Sequence, residues 1–224
     1  GSASGRTCPC GQTGGQMFGW FRKELKTPAD FAGLKIRTAG FGGKVMAKLG
    51  AVPQQIAGGD IYPALEKGTI DAAEFIGPHD DEKLGLNKVA KFYYYPGWWE
   101  GGAESHAIVN IAKWNELPKN YQAIVATAAA TANQSMLAKY DAKNPAALKS
   151  LIAGGAQLRA YPDDMMVKAF AAANELYAKL SAENPDFKKI YDNQVAFRND
   201  ANLWNQVAEL TFDVFMIRNR PKAA

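Results

Sequence analysis

The sequence predicts an α/β fold with a helix-rich C-terminal half, and three observations carry that reading. Between Leu34 and Ile76, short alternating stretches trade places with helix-length segments bounded by glycines and cap residues, too closely spaced for hairpins. From Tyr121 onward, apolar residues recur at three and four, the helical period. A hydrophobic content of 47% over 224 residues provides core for one large domain or two modest ones.

Residues 1–15 are glycine-rich and are expected to form a low-order leader, with Gly11 to Gly15 a loop approaching a pocket. A short amphipathic piece, Met17 to Leu25, follows. Thr27 then stands as an N-cap with Pro28 at the first helical position and Asp30 in the first turn. Leu34 to Thr38 alternates, Leu34 and Ile36 against Lys35 and Arg37, so Arg37 falls at the end of a half-buried strand. Helices are expected over Lys44–Leu49, stopped by Gly50, and over Ile61–Lys67, capped by Asp60 and stopped by Gly68. Ile70 to Ile76 returns as a strand, and Ser105 to Ile111 forms another. Strands joined in this way pair in parallel and collect ligands at their carboxyl ends, which is where Arg37, Glu74 and Phe75 fall.

The C-terminal half reads as a long helix through Tyr121, Ile124, Val125, Ala128, Ala132, Met136 and Tyr140, then a separate helix from Pro145 to Ala153 ended by Gly154 and Gly155. Another runs from about Asp163 to Leu180, and a last one places Leu203, Val207, Leu210 and Val214 on one stripe. The expected organisation is therefore a leader over 1–15, an α/β lobe over 16–92, a strand crossover over 93–115 and a helical part over 116–224.

Composition excludes several classes. The net charge of +4 comes from 26 basic residues scattered among 22 acidic ones, without a Lys/Arg run, which argues against a nucleic-acid partner. No apolar window approaches the roughly 20 residues of a membrane span. Cys8 and Cys10, one residue apart, suit neither a structural disulfide nor a zinc site, and the first seven residues lack the apolar core of an export signal. The chain holds two histidines, His79 and His106, and His79 is expected in a loop. Nucleophile elbows, phosphate loops and dinucleotide fingerprints are missing from the sequence. The pattern is that of a binder.

The stretch from Ile70 to Glu104 is the densest in chemistry. Six aromatic residues lie between Phe92 and Trp99, followed directly by Glu100, with Gly97, Gly101 and Gly102 around them. Rings beside a carboxylate at a Pro-Gly turn suit a small-ligand pocket; the alternative is that the rings fill a core between layers. Arg37 suits a carboxylate anchor, because a guanidinium holds both oxygens in a planar fork. Glu74 and Glu100 are candidates to bind a hard cation or to act as an acid/base pair, or they are unrelated solvated carboxylates.

GLKIR (Gly33 to Arg37), VPQQIAGGDIYPALEKGTIDAAEFIGPHDDEKLGL (Val52 to Leu86) and YYYPGWWEGG (Tyr93 to Gly102) together resemble the solute-binding receptors of TRAP transporters. The closest look is to the subgroup that binds 2-oxo monocarboxylates such as pyruvate, or the 2-hydroxy acid lactate, with a bound cation. The resemblance implies a two-lobe fold like that of periplasmic binding proteins, with 16–92 as the second lobe. It implies no enzyme activity, a periplasmic location and membrane subunits of a TRAP transporter as partners. Gln16 and Arg37 would contact the ligand carboxylate, with Phe75, Trp98 and Trp99 beside the ligand. Glu74, the backbone carbonyl of Phe75 and Glu100 would hold a sodium or calcium ion that also reaches the ligand carboxylate.

Position 75 is Phe where many oxo-acid receptors of this type have Trp, and position 74 is Glu where some lactate receptors have Asp; the balance favours a 2-oxo acid. A lactate receptor with calcium is the alternative, and a metal-dependent lyase or isomerase of 2-oxo acids is the competing class. Receptors of this kind carry a signal peptide and a whole first lobe before the loop at Cys10 to Gln16, so much of the first lobe is expected to be missing here. The apolar face of Leu203 to Ile217 suits a homodimer through the C-terminal helix, or equally a helix packed on its own lobe.

Overall fold

The computed structural model describes residues 5–38, 40–98 and 101–220. Among these the strands are β1 (Gly5–Gln12), β2 (Gly19–Phe21), β3 (Lys35–Arg37), β4 (Val52–Gln54), β5 (Ala72–Ala73), β6 (Phe92–Tyr95), β7 (Glu104–Asn110) and β8 (Gln157–Ala160). The helices are α1 (Gly40–Lys48), α2 (Ile61–Glu66), α3 (Pro78–Leu84), α4 (Ile111–Glu116), α5 (Lys119–Ala153), α6 (Asp163–Glu183), α7 (Pro185–Asn205) and α8 (Thr211–Asn219). The chain forms two compact units, Gly1–Ala172 and Ala173–Ala224.

The first unit holds a six-stranded sheet in the order β4-β3-β5-β2-β6-β8 and a two-stranded sheet of β1 and β7. In the larger sheet β3 is parallel to β4 and β5, and β6 is parallel to β8, as the strand-helix alternation predicts. β2 is antiparallel to both β5 and β6. All strands but β2 therefore end at the same edge, and β2 begins there. Gly19 makes this pairing feasible: a Cβ there would lie 2.5 Å from the Ala73 carbonyl oxygen, and its φ of +139° is one that glycine accepts.

The sheet is buried on both faces, which explains the aromatic run. Tyr94 joins Phe18, Phe21, Phe31, Ile36, Met46, Tyr161 and Met165 on one face. Tyr93 joins Trp20, Ile61, Leu65, Ile70, Leu86 and Leu151 on the other. Alternation along a strand sends neighbouring rings to opposite layers. The pocket reading of this run is corrected for its tyrosines: Tyr93 and Tyr94 are core, with relative exposures of 0% and 1%. Their hydroxyls are satisfied there, Tyr93 donating to Asp81 at 2.6 Å and Tyr94 to the Leu25 carbonyl at 3.1 Å.

Three further expectations change. Gly5–Gln12, placed in a low-order leader, is a strand paired with β7 from Gly5↔Asn110 to Gln12↔Glu104. Its glycine content serves packing, since a Cβ on Gly11 would meet the Met136 sulfur of α5 at 2.6 Å. The helices expected to part before Pro145 are one 35-residue helix, α5, with Pro145 inside it. Proline removes one helical donor there, but Asn144 just before it ties α5 to α3 by accepting the His79 N–H at 3.1 Å. His79, expected in a loop, lies in the first turn of α3, which has Pro78 at its start, Asp80 and Asp81 in its first turn and Gly85 at its end. Cys8 and Cys10 are both free thiols.

In the second unit the end of α6 leads through Asn184, which caps α7 by accepting the Phe187 N–H, into α7, a π-helical turn at Gln206–Leu210 and α8. Tyr177 stacks on Tyr191 with ring centroids 4.7 Å apart. Leu203, Val207, Leu210 and Phe215 are all exposed. No helix among the described residues is long and apolar enough to cross a membrane.

Candidate functional site

The edge where β3, β4, β5, β6 and β8 end brings together most of the residues expected to bind. Arg37 closes β3 and is held by three contacts from two neighbouring connections. Its Nη1 donates to the Glu74 carboxylate at 2.7 Å and to the Glu74 carbonyl at 2.8 Å, and its Nε donates to the Ile56 carbonyl at 3.1 Å. The Arg37 and Glu74 side chains are only 17% and 11% exposed, so this ion pair is largely desolvated. The guanidinium also lies 5.7 Å from the Phe75 ring centroid, within range of a cation–π contact. Among the described residues nothing accepts from Nη2, so half of the planar fork stays open to an anion.

Glu74 is positioned by the sheet itself. Its N–H donates to the Arg37 carbonyl at 3.1 Å, extending the β3–β5 pairing by one residue. Beyond it, the Ile76 carbonyl accepts the Met17 N–H at 3.2 Å, which sets residue 16 alongside this connection. Gln16 is 8% exposed; its Nε2 donates to the Thr13 hydroxyl at 3.1 Å, and its carbonyl accepts the Gly97 N–H at 2.9 Å. Thr13, itself 4% exposed, also accepts from the Ala103 N–H at 3.0 Å.

Arg37, Glu74 and Phe75 are thus in direct contact, and Gln16 is tied to the same connection through its neighbour. Trp98 is half-buried against Phe18 and Tyr161, with ring centroids 6.4 Å and 6.5 Å away. Trp99 and Glu100 lie outside the described residues. Thr13, the Ile56 carbonyl and Asp81 were not singled out by sequence reasoning. A threonine hydroxyl and a backbone carbonyl carry no periodic signal, and Asp81 was hidden in a segment read as loop. Asp81 is 1% exposed, and burial pushes its carboxyl up to about 6 against the opposing pull of its hydrogen bonds from Tyr93 and Trp20.

A hard cation needs oxygen ligands. The Glu74 carboxylate offers one, and the adjoining Phe75 carbonyl, to which no described residue donates, offers another. Glu100, the third expected ligand, is outside the described residues, and among those described no three His, Cys, Asp or Glu side chains cluster as a metal site. The donors present are hard oxygens and suit sodium or calcium rather than a soft metal.

Residues 10–184 match the bacterial extracellular solute-binding proteins of family 7, the DctP family. A curated relative from Nostoc sp., a monocarboxylate 2-oxoacid-binding periplasmic protein, is 49% identical over 207 residues, which are 92% of this chain and 57% of that protein. A TRAP transporter solute-binding protein from Bordetella bronchiseptica, solved as a mixed-occupancy dimer with calcium and picolinate, is 51% identical. It superposes with a TM-score of 0.93 over 96% of this chain and 64% of its own. One from Colwellia psychrerythraea, with calcium and pyruvate, is 36% identical with a TM-score of 0.90, over 93% of this chain and 64% of its own. One from Pseudoalteromonas atlantica, with sodium and pyruvate, is 36% identical with a TM-score of 0.89 over the same shares. The chain therefore spans about three fifths of the length of these relatives, which are binding receptors and not enzymes. The chain belongs to the DctP family of extracytoplasmic TRAP solute-binding proteins.

Proposed function

We propose that this chain carries the ligand-bearing part, residues 16–92 foremost, of a periplasmic TRAP receptor that captures a small 2-oxo monocarboxylate of pyruvate size together with a cation. The observation that carries the reading is Arg37: a largely buried guanidinium at a strand end, fixed by Glu74 and Ile56 through Nη1 and Nε, with Nη2 open. Arg37 anchors the ligand carboxylate, with Gln16 as a neutral donor beside it, while the Phe75 ring, Trp98 and Trp99 line the ligand. Glu74, the Phe75 carbonyl and Glu100 hold the cation, which when bound supplies positive charge to the ligand's oxygens.

Charge bookkeeping supports the pairing of acid and cation. One arginine against two glutamates and a monoanionic ligand leaves two negative charges, which calcium cancels and sodium halves. The 2-oxo acid is favoured over lactate by the name of the Nostoc relative and by the pyruvate in the Colwellia and Pseudoalteromonas proteins. The exposed stripe of Leu203, Val207, Leu210 and Phe215 suits a second copy of the chain, and the Bordetella protein is itself a dimer. Membrane subunits of a TRAP transporter are the partners that receive the solute.

The test is calorimetric titration of pyruvate and lactate into the chain with sodium, with calcium and after chelation, repeated on Arg37→Ala and Glu74→Ala. Cation-dependent pyruvate binding that both substitutions abolish supports the reading. Pyruvate binding that survives chelation and both substitutions overturns it.

A further inference from the structure

Asp81 sits in the first turn of α3 and is 1% exposed. A carboxylate in such a place requires donors, and three converge on it from different parts of the fold. Trp20 Nε1 on β2 donates to Oδ2 at 2.9 Å, and the Tyr93 hydroxyl on β6 donates to the same oxygen at 2.6 Å. The Ile76 N–H points at Oδ1 from 3.5 Å. The rings of Trp20 and Tyr93 are themselves stacked with centroids 3.9 Å apart. An indole N–H and a backbone N–H only donate, so an ionised carboxylate is the group that can accept from all three.

The consequence falls on residues 74–77, the connector between β5 and α3. Its first end is fixed by the β5 ladder and by the Glu74 N–H on the Arg37 carbonyl. Its second end is fixed because Asp81 fastens α3 to β2 and β6, with Asn144 of α5 accepting the His79 N–H as a further tie. In between, the Ile76 peptide is held on both sides, its N–H toward Asp81 and its carbonyl on the Met17 N–H. The two groups that the binding site takes from this connector, the Glu74 carboxylate and the Phe75 carbonyl, lie between those ties.

We propose that Asp81 is a positioning residue for the anion and cation site: by fastening α3 to β2 and β6 it fixes the direction of the Glu74 carboxylate and the Phe75 carbonyl. What is bound there rests on the receptor reading above; the constraint on the connector does not.

The test uses Asp81→Asn and Tyr93→Phe in this chain, with two measurements: amide hydrogen exchange of residues 74–77 without ligand, and calorimetric affinity for pyruvate at saturating calcium. In Asp81→Asn, exchange at Phe75 to Gly77 should rise by about tenfold or more while β3 and α5 stay protected. Affinity should fall roughly 10- to 100-fold, the usual effect of removing a group that orients metal ligands. Tyr93→Phe should move both the same way by less, and it decides the matter if Asp81→Asn does not fold. Exchange that is unchanged at the connector, or that rises equally in every element, overturns the proposal, as does an affinity within about twofold of the parent. If the parent chain binds no pyruvate, the reading of this chain as sufficient for ligand capture fails, and the exchange measurement alone then supports or overturns the positioning role.

Discussion

The Arg37–Glu74 pair yields the sharpest energetic prediction. Replacing Arg37 by Met keeps much of the alkyl stem but removes all three donors, leaving a carboxylate that is 11% exposed together with the Glu74 and Ile56 carbonyls. Breaking a desolvated pair from one side costs about 3–5 kcal/mol, because the remaining charge stays largely buried and loses its counter-charge. Glu74→Gln is milder: an amide oxygen still accepts from Nη1 at the same place, so the loss is about 1–2 kcal/mol. In the double variant both charges are gone, and the combined cost should fall below the sum of the two by about 2 kcal/mol. Urea unfolding at pH 7 of the parent, both single variants and the double variant closes the cycle. Costs that add within about 0.5 kcal/mol would show that the 2.7 Å contact carries no coupling and would refute a strong Arg37–Glu74 attraction.

The buried Asp81 gives a pH signature. Because burial raises its folded-state value above the unfolded one, its contribution to stability is fullest below about pH 4 and declines as the pH rises through about 6. Relative to Asp81→Asn, the parent should therefore gain about 2–3 kcal/mol between pH 7 and pH 4, read from paired urea midpoints; a gap that does not change with pH refutes the assignment. Gly19→Ala should destabilise the chain by about 2–4 kcal/mol, since the new Cβ would meet the Ala73 carbonyl at 2.5 Å with φ at +139°, and a loss under about 0.5 kcal/mol would contradict the β2–β5 register. Glu100→Gln should narrow the calorimetric preference for calcium over sodium by on the order of tenfold, and an unaltered preference removes Glu100 from the cation shell.

Local rules found the ends of strands better than they found what fills the space between them. The alternation of Leu34, Lys35, Ile36 and Arg37 placed Arg37 at a carboxyl end, and that end is where Glu74 and Phe75 meet it. The same rules misjudged Tyr93 and Tyr94, because a phenol in the core depends on partners far along the chain, Asp81 for one and Leu25 for the other. Asp81 was illegible for the complementary reason: two adjacent aspartates after a proline look solvated until the donors of β2 and β6 are brought to them. β1 was hidden by glycine content that reads locally as disorder, yet Gly11 gives room to a methionine 125 positions later. The reversal of β2 had no local signal either, since three residues cannot show their direction.

That reversal explains how a residue preceding a strand joins a site built from strand ends. Since β2 begins where its neighbours finish, the segment leading into it, Thr13 to Phe18, meets the connector after β5 and the turn after β6. The same segment passes between the small sheet and the large one, as does the segment that leaves β6 and enters β7. They are stitched by the Gly97 N–H on the Gln16 carbonyl, the Thr13 N–H on the Ala103 carbonyl at 3.1 Å and the Ala103 N–H on the Thr13 hydroxyl at 3.0 Å. Thr13 thus pins the crossing and also accepts from the Gln16 side chain, so one hydroxyl couples the passage between sheets to the Gln16 amide. Thr13→Val keeps the shape and removes that acceptor, leaving a buried amide donor and the Ala103 N–H without it, at a cost of about 2 kcal/mol. Thr13→Ser retains the oxygen and should cost less than about 1 kcal/mol. Urea unfolding of the two variants separates hydroxyl from methyl: if Val is tolerated as well as Ser, the crossing is held by backbone bonds alone and Gln16 owes nothing to Thr13.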